Sequence, residues 1–189
     1  NKLSYEKYDL GTLGAEAVYL PTQTGEHLIN LQLMRNDEMI GMADGKLEDS
    51  EAISLDILLE HFPMEIANAF VPRDIITLKG ALNGELHIQG TTQSPHMEGE
   101  IRFDSIQVHS PLYAMDFYFD KTPVSIADNQ LVFAGFNIYS KGKNPLTLMG
   151  KVNMNNLSHI QTDLQMRATE YELLDAKKNR NSVLHGKVF

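Results

Sequence analysis

Apolar and polar side chains alternate along most of this chain of 189 residues. Leu86 and Ile88, for example, stand between Glu85, His87 and Gln89. A period of two is the pattern of a β-strand, whose successive side chains point to opposite faces of a sheet. Strands with one apolar and one polar face are typical of antiparallel sheets that are wet on one side. The chain is therefore predicted to be mainly all-β, an elongated antiparallel sheet.

The alternation slips by one residue at two places. Ile106 is out of phase with Phe103, and Phe136 is out of phase with Phe133. A slip of one residue turns every later side chain to the other face, and a β-bulge restores the facing while it bends the strand. We expect bulges near residues 104–105 and 134–135. Such bends would curl the sheet into a trough, an architecture called a β-taco.

One segment has the spacing of a helix. Phe62, Ile66 and Phe70 are four residues apart, and Pro63 would fall in a first helical turn, where proline is tolerated. Pro72 would end the helix, which is predicted near residues 62–70. The domain organisation expected from this is a group of N-terminal strands over residues 1–70, continuous with further strands over residues 71–189. The final residues 186–189 look like the first half of a strand, as in a fragment of a longer chain.

A short phrase recurs along the chain, a glycine followed by a charged residue and alternating apolar residues. It begins at Gly84, Gly99, Gly150 and Gly186, with a partial copy at Gly45. Repeated units of this kind suggest a stacked, elongated array. Turns are predicted where glycine and asparagine or aspartate fall between apolar runs. These sites are Asp44–Gly45, Asn83–Gly84, Asp128–Asn129 and residues 141–144.

Composition excludes several classes of function. The net charge of −9 disfavours nucleic acid and anionic lipid surfaces, and the absence of cysteine excludes thiol catalysis and cysteine-bound zinc. The seven histidines have no metal-site spacing. Asp116 and Asp120 could form an acid–base pair around an aromatic strand, but their even spacing puts both on the wet face. We therefore expect no enzyme, no catalytic residue, no metal and no cofactor.

The order of several weak motifs resembles the TamB family of translocation and assembly proteins, relatives of the AsmA-like proteins. The main one runs from Leu78 to Thr91 and continues from Ser94 to Ile101, with glycines among alternating apolar residues. Residues 124–133 and 146–152 resemble the strands that follow it in that family, and the resemblance covers roughly residues 30–189. The asparagine- and lysine-rich residues 175–181 and the many methionines suit a Bacteroidetes-type member.

The resemblance implies a periplasmic segment of a long protein that is anchored in the inner membrane. Such a protein works with an outer-membrane barrel of the TamA/BamA-like kind, in phospholipid transport or outer-membrane protein assembly. Its partners would be lipid acyl chains or outer-membrane client proteins. The predicted groove for these partners consists of Leu86, Ile88, Ile101, Phe103, Phe117, Phe119, Leu131, Phe133, Leu148, Val152, Met154, Leu164 and Met166.

Two other interpretations stay open for the same residues. The apolar stripe, with Phe117, Phe119 and the rim tyrosines Tyr113 and Tyr118, could be the filled core of a cell-surface β-sandwich that binds carbohydrate or peptide. It could also belong to a jelly-roll enzyme, although inward-facing polar residues are missing from the pattern. Methionines favour an adaptable lining, because the flexible thioether fits varied partners. An interior that is open or packed distinguishes these interpretations.

Overall fold

The computed structural model describes residues 2–5, 8–69, 75–112, 114–156, 159–172 and 187–188. The described residues are mostly antiparallel β-sheet with one short helix, which confirms the prediction of a mainly all-β protein. The strands are β1 (Lys2–Tyr5), β2 (Tyr8–Pro21), β3 (Glu26–Arg35), β4 (Glu38–Glu48), β5 (Ala52–Pro63), β6 (Thr77–Thr91), β7 (Pro95–Ser110), β8 (Met115–Phe119), β9 (Val124–Ala127), β10 (Gln130–Tyr139), β11 (Leu146–Asn153), β12 (Gln161–Ala168), β13 (Tyr171–Glu172) and β14 (Lys187–Val188).

Twelve of these strands form a single antiparallel sheet. Their order in the sheet follows the chain from β1 to β12, except that β9 lies beside the main path and pairs with both β7 and β10. The sheet is curled, so the trough-like architecture is confirmed. The other sheet in the described part of the chain has two strands, β13 and β14. A β-sandwich of two large layers is therefore not the fold of these residues.

Both predicted β-bulges are present and explain how long strands bend. The pairing of β7 with β6 shifts opposite residues 79–81, beside Ser105, which has a φ of 55°. The pairing of β10 with β11 shifts at Gly135, which has a φ of 91°. Beyond the bulges, Ile106 and Phe136 are buried, with 1% and 2% of their surface exposed. Each bulge therefore allows the apolar side chains before and after the bend to lie on the same face of the sheet.

The predicted helix is shorter and begins later than expected. A 3-10 helix spans Met64–Ala69, whereas Phe62 and Pro63 still belong to β5. The prediction was wrong at its start because Phe62 pairs with Leu82 of β6, so the sheet holds it extended. Residues 70–72, which include the expected end of the helix, lie outside the described residues.

The side chain of Asn68 connects this helix to the sheet by two hydrogen bonds. Its side chain is 1% exposed, and its amide nitrogen donates to the carbonyl oxygen of Leu78 at 2.8 Å. Its amide oxygen accepts a hydrogen bond from the Leu78 N–H at 2.7 Å. A neighbouring strand would form the same two hydrogen bonds with the backbone of Leu78. The side chain of Asn68 therefore supplies these bonds in place of a strand at the start of β6.

Three glycines of the repeated phrase, Gly45, Gly99 and Gly150, share one structural role. A Cβ atom would lie 2.0 Å from a carbonyl oxygen of the adjacent strand at Gly45, and 2.1 Å from one at Gly99 and at Gly150. Each of the three faces a leucine on that strand. Neighbouring strands therefore approach more closely at these points than any side chain permits.

This role also explains two wrong turn predictions. Residues Asp44–Gly45 and Asn83–Gly84 lie inside β4 and β6. Their glycines serve close strand approach, and Asp44 accepts a cross-strand hydrogen bond from Asn30 at 3.0 Å. The turns at Asp128–Asn129 and at residues 141–144 are confirmed, since each lies between two strands.

The sheet continues across the boundary between residues 1–70 and 71–189. β5 and β6 are paired from Ala52, opposite Thr91, to Pro63, opposite Ala81. Among the residues that the structure describes, no helix has the length and apolarity needed to cross a bilayer.

Candidate binding groove

Strand pairing sorts the side chains into two faces, because directly opposed residues of an antiparallel pair lie on the same face. We call the face that carries Leu86 the inner face and the opposite one the outer face. A single inner-face row crosses ten strands, and only its last member, at the sheet edge, has a polar side chain. The row is Ala17, Leu31, Ala43, Ile57, Leu86, Gly99, Ile126, Leu131, Val152 and Thr162.

The neighbouring row on the outer face has a different chemistry. It mixes charged, polar and a few apolar side chains, as expected for a surface in water. Its members are Glu16, Gln32, Met42, Leu58, Glu85, Glu100, Ser125, Val132, Lys151 and Asp163.

Twelve of the thirteen residues predicted to line the groove occupy inner-face positions of paired strands. Met154 follows the end of β11, where its N–H donates to the carbonyl oxygen of Asn129 at 2.9 Å. None of the thirteen is buried: twelve are half-buried, and Met166 is 69% exposed. Side chains of a filled core are usually buried almost completely. The inner face therefore remains partly accessible at every one of these positions.

One end of the inner face is packed. Phe103, Phe119 and Phe136 form an edge-to-face cluster with ring centroids 5.2 to 5.4 Å apart, and Phe133 joins it at 6.0 Å from Phe136. The buried residues Ile106, Val124 and Ile126 lie in β7 and β9, which pair with each other. The cluster is a small hydrophobic core of strands β7 to β10.

Sequence reasoning missed the inner face of β3 to β5. Half-buried residues there include Leu31, Leu33, Leu55, Ile57 and Leu59. The first two pair with β4, and the last three pair with β6. These residues lie outside the repeated glycine phrase, although their alternation is visible in the sequence. The period-two pattern alone would have identified them.

Charged side chains are largely kept off the inner face. Among the described residues of β3 to β12, Arg35 and Glu38 are the charged ones at inner-face positions, and they stand at the tip of the β3–β4 hairpin. The inner face elsewhere in these strands thus offers no charge that would hold a water layer or a polar headgroup.

Ion pairs stabilise the outer face. The ammonium of Lys46 lies 3.0 Å from Glu26 and 3.5 Å from Glu48, and the hydrogen bond with Glu26 is the main cause of its raised pKa. The pKa of Asp104 is lowered, chiefly by its hydrogen bond with Lys121 at 3.0 Å. Both groups therefore stay charged over the whole physiological range of pH.

An open pocket of about 500 Å³ lies on the outer face between β4 and β7. Its side chains include Met42 and Leu58, surrounded by Asp56, Glu85 and His87. His87 is hydrogen-bonded to Asp56 on the neighbouring strand. The described residues contain no group of three histidines or carboxylates that could hold a metal ion, here or elsewhere.

Comparison with known proteins adds no relative to this description. No protein-family model, no curated protein and no solved structure matches the chain. The fold and the chemistry of the inner face are thus the basis for a functional assignment.

Proposed function

We propose that this chain is a non-catalytic segment of a TamB-like bridge protein in the periplasm. Its inner face would hold the acyl chains of phospholipids that pass to the outer membrane, with an outer-membrane barrel protein as the partner. A role in assembling outer-membrane proteins would use the same face. The observation on which this proposal rests is a continuous apolar face, ten strands wide, on which twelve of the thirteen predicted groove residues lie and keep exposed surface.

The physical basis is the transfer of hydrocarbon from water to the inner face. Each methylene group removed from water contributes about 0.8 kcal/mol, so a chain of several methylenes binds without any specific polar contact. A charged headgroup would stay in water, because the described inner face of β3 to β12 carries charged side chains only at the tip of the β3–β4 hairpin. The net charge of −9 also disfavours docking on an anionic membrane surface, which leaves the acyl chain as the part recognised.

The two ends of the inner face would contribute differently. The phenylalanine cluster of β7 to β10 already fills its own space, with Phe136 2% exposed. Leu31, Ile57 and Leu86, in contrast, are half-buried and have no such cluster above them among the described residues. We therefore assign hydrocarbon binding to strands β3 to β6. The competing proposal, a sandwich that binds sugar or peptide, requires a second large sheet that these residues do not form.

Titration with a fluorescent fatty acid tests this proposal. Leu86→Glu places a carboxylate on the inner face, and we expect at least tenfold weaker binding, because an ionised group resists transfer into apolar surroundings. Gln89→Glu adds the same charge to the outer face of the same strand, where the wild-type side chain is exposed, and should change the affinity less than twofold.

Circular dichroism of both variants shows whether each has kept its strands. A wild-type protein that leaves the fluorescence of the fatty acid unchanged at saturating concentration contradicts the proposal. Equal losses in the two folded variants would also contradict it, since the binding surface would then not be the inner face.

A further inference from the structure

The open pocket on the outer face combines an apolar floor with an acidic rim. Met42 and Leu58 stand directly opposite each other on β4 and β5, and both are half-buried. The rim carries the exposed carboxylates of Asp56, Glu85 and Glu98. A volume of about 500 Å³ is that of a site for a small ligand or for a few side chains of a partner.

The pocket lies in the interior of the sheet. β4 pairs with β3 and β5, β6 pairs with β5 and β7, and β7 also pairs with β8 and β9. A partner at this site would therefore recognise the side chains of the floor and rim and would not add a strand.

Carboxylates stand directly opposite each other at two points of this region. Asp44 of β4 opposes Asp56 of β5, and Glu85 of β6 opposes Glu100 of β7. Like charges in such cross-strand positions destabilise a sheet. Arg102 forms an ion pair with Glu100 on its own strand, which leaves Glu85 without a cation. A local arrangement that costs stability is expected at functional sites, where a ligand needs the charge.

Another pair of opposed carboxylates shows what the pocket lacks. Glu26 opposes Glu48, and the ammonium of Lys46 lies 3.0 Å from Glu26 and 3.5 Å from Glu48. Among the described residues, no lysine or arginine forms an ion pair of this kind with Asp56 or Glu85. The chain thus supplies a cation at one such pair and leaves the position open at the pocket.

Histidines are the side chains that contact the rest of the rim. His87 is hydrogen-bonded to Asp56, and His96 Nε2 lies 3.2 Å from Glu98 Oε1. The lining of the pocket contains three carboxylates and no lysine or arginine. Its charge is therefore complementary to a cation from outside.

We propose that this pocket docks a basic segment of a partner protein, an extended stretch with an apolar side chain two residues from an arginine or lysine. The apolar side chain lies on Met42 and Leu58, and the cation lies among Asp56, Glu85 and Glu98. Leu58 and Asp56 are two residues apart on one strand, about 7 Å at ~3.4 Å per residue. Alternate side chains of an extended segment have the same spacing, so both contacts form together.

The charge of the whole chain favours the same partner. A net charge of −9 attracts a basic segment and raises its rate of association, whereas the pocket determines where the segment binds. The site is on the outer face and is therefore independent of hydrocarbon binding on the inner face.

Fluorescence anisotropy of a labelled peptide, Leu-Ser-Arg-Ser-Leu-Ser-Arg, tests the proposal. Glu85→Lys places an ammonium in the rim, and we expect it to weaken binding about tenfold or more. Asp163→Lys is the control, because it makes the same change of net charge at an exposed outer-face position of β12. At physiological salt that position is beyond the range of charge screening, so the affinity should change about twofold or less.

A second peptide, with serine in place of both leucines, tests the apolar floor on the unmodified chain. It keeps both arginines and should bind about fivefold more weakly, because Met42 and Leu58 then cover no hydrocarbon. Urea unfolding shows whether Glu85→Lys has kept the fold, and we expect it to be at least as stable as the wild type, since a like-charge pair is removed. The proposal is overturned if the wild type leaves the anisotropy unchanged at about 1 mM protein, if both lysine variants weaken binding equally, or if the two peptides bind equally well.

Discussion

Gly99→Ala is expected to destabilise the chain by about 3 kcal/mol or more, a large part of the stability of an ordinary domain. The added Cβ atom would lie 2.1 Å from the carbonyl oxygen of Glu85 on the neighbouring strand and 3.0 Å from the Cα atom of Leu86. Both are backbone atoms, so no side-chain rotation relieves the overlap. The strands β6 and β7 would have to separate, with loss of the hydrogen bonds between them.

Gly14→Ala is the matched control for this prediction. A Cβ atom there would have Met34 Cβ as its nearest neighbour at 3.8 Å, which is an ordinary contact. Because alanine reduces the freedom of the unfolded chain, we expect this variant to be unchanged or stabilised by up to about 1 kcal/mol. Urea unfolding followed by circular dichroism measures both changes. Equal stabilities of the two variants would mean that the close approach at Gly99 does not restrain the fold.

Phe136→Ala is expected to cost about 3 to 5 kcal/mol, because it removes a buried ring and leaves a cavity. The ring is 2% exposed and contacts Phe103, Phe119 and Phe133 edge to face. Tyr118→Ala is the control, since Tyr118 is 44% exposed on the outer face of a neighbouring strand, and it should cost about 1 kcal/mol or less. A small effect at Phe136 would show that the cluster is not the packed end of the inner face.

Much of the fold could be predicted from the sequence, since the period of two is a direct consequence of strand geometry. The bulges near Ser105 and Gly135 were predictable for the same reason: one apolar face can continue past a phase slip only if a residue is left unmatched. Pairing between strands is less visible, because it depends on contacts between distant residues. The inner-face row nevertheless follows from the alternation once the order of the strands is known.

The glycines show where sequence reasoning failed. Gly45 and Gly84 follow aspartate and asparagine, a pair that signals a hairpin turn in an isolated segment. In the sheet their missing side chains allow a neighbouring backbone to approach, which no local pattern reveals. The start of the helix was mispredicted for a similar reason, since the pairing of Phe62 with Leu82 outweighs its helical spacing and β5 extends to Pro63.

Binding of hydrocarbon to the inner face of the single curled sheet can be located with two adjacent residues of β5. Leu55 belongs to the inner face and Ser54 to the outer face, one peptide unit apart. A fluorophore can be attached to Leu55→Cys or to Ser54→Cys and then exposed to a brominated fatty acid, which quenches on contact. We predict strong, saturable quenching at position 55 and little at position 54. Equal quenching at the two positions, or none at either, would contradict the account.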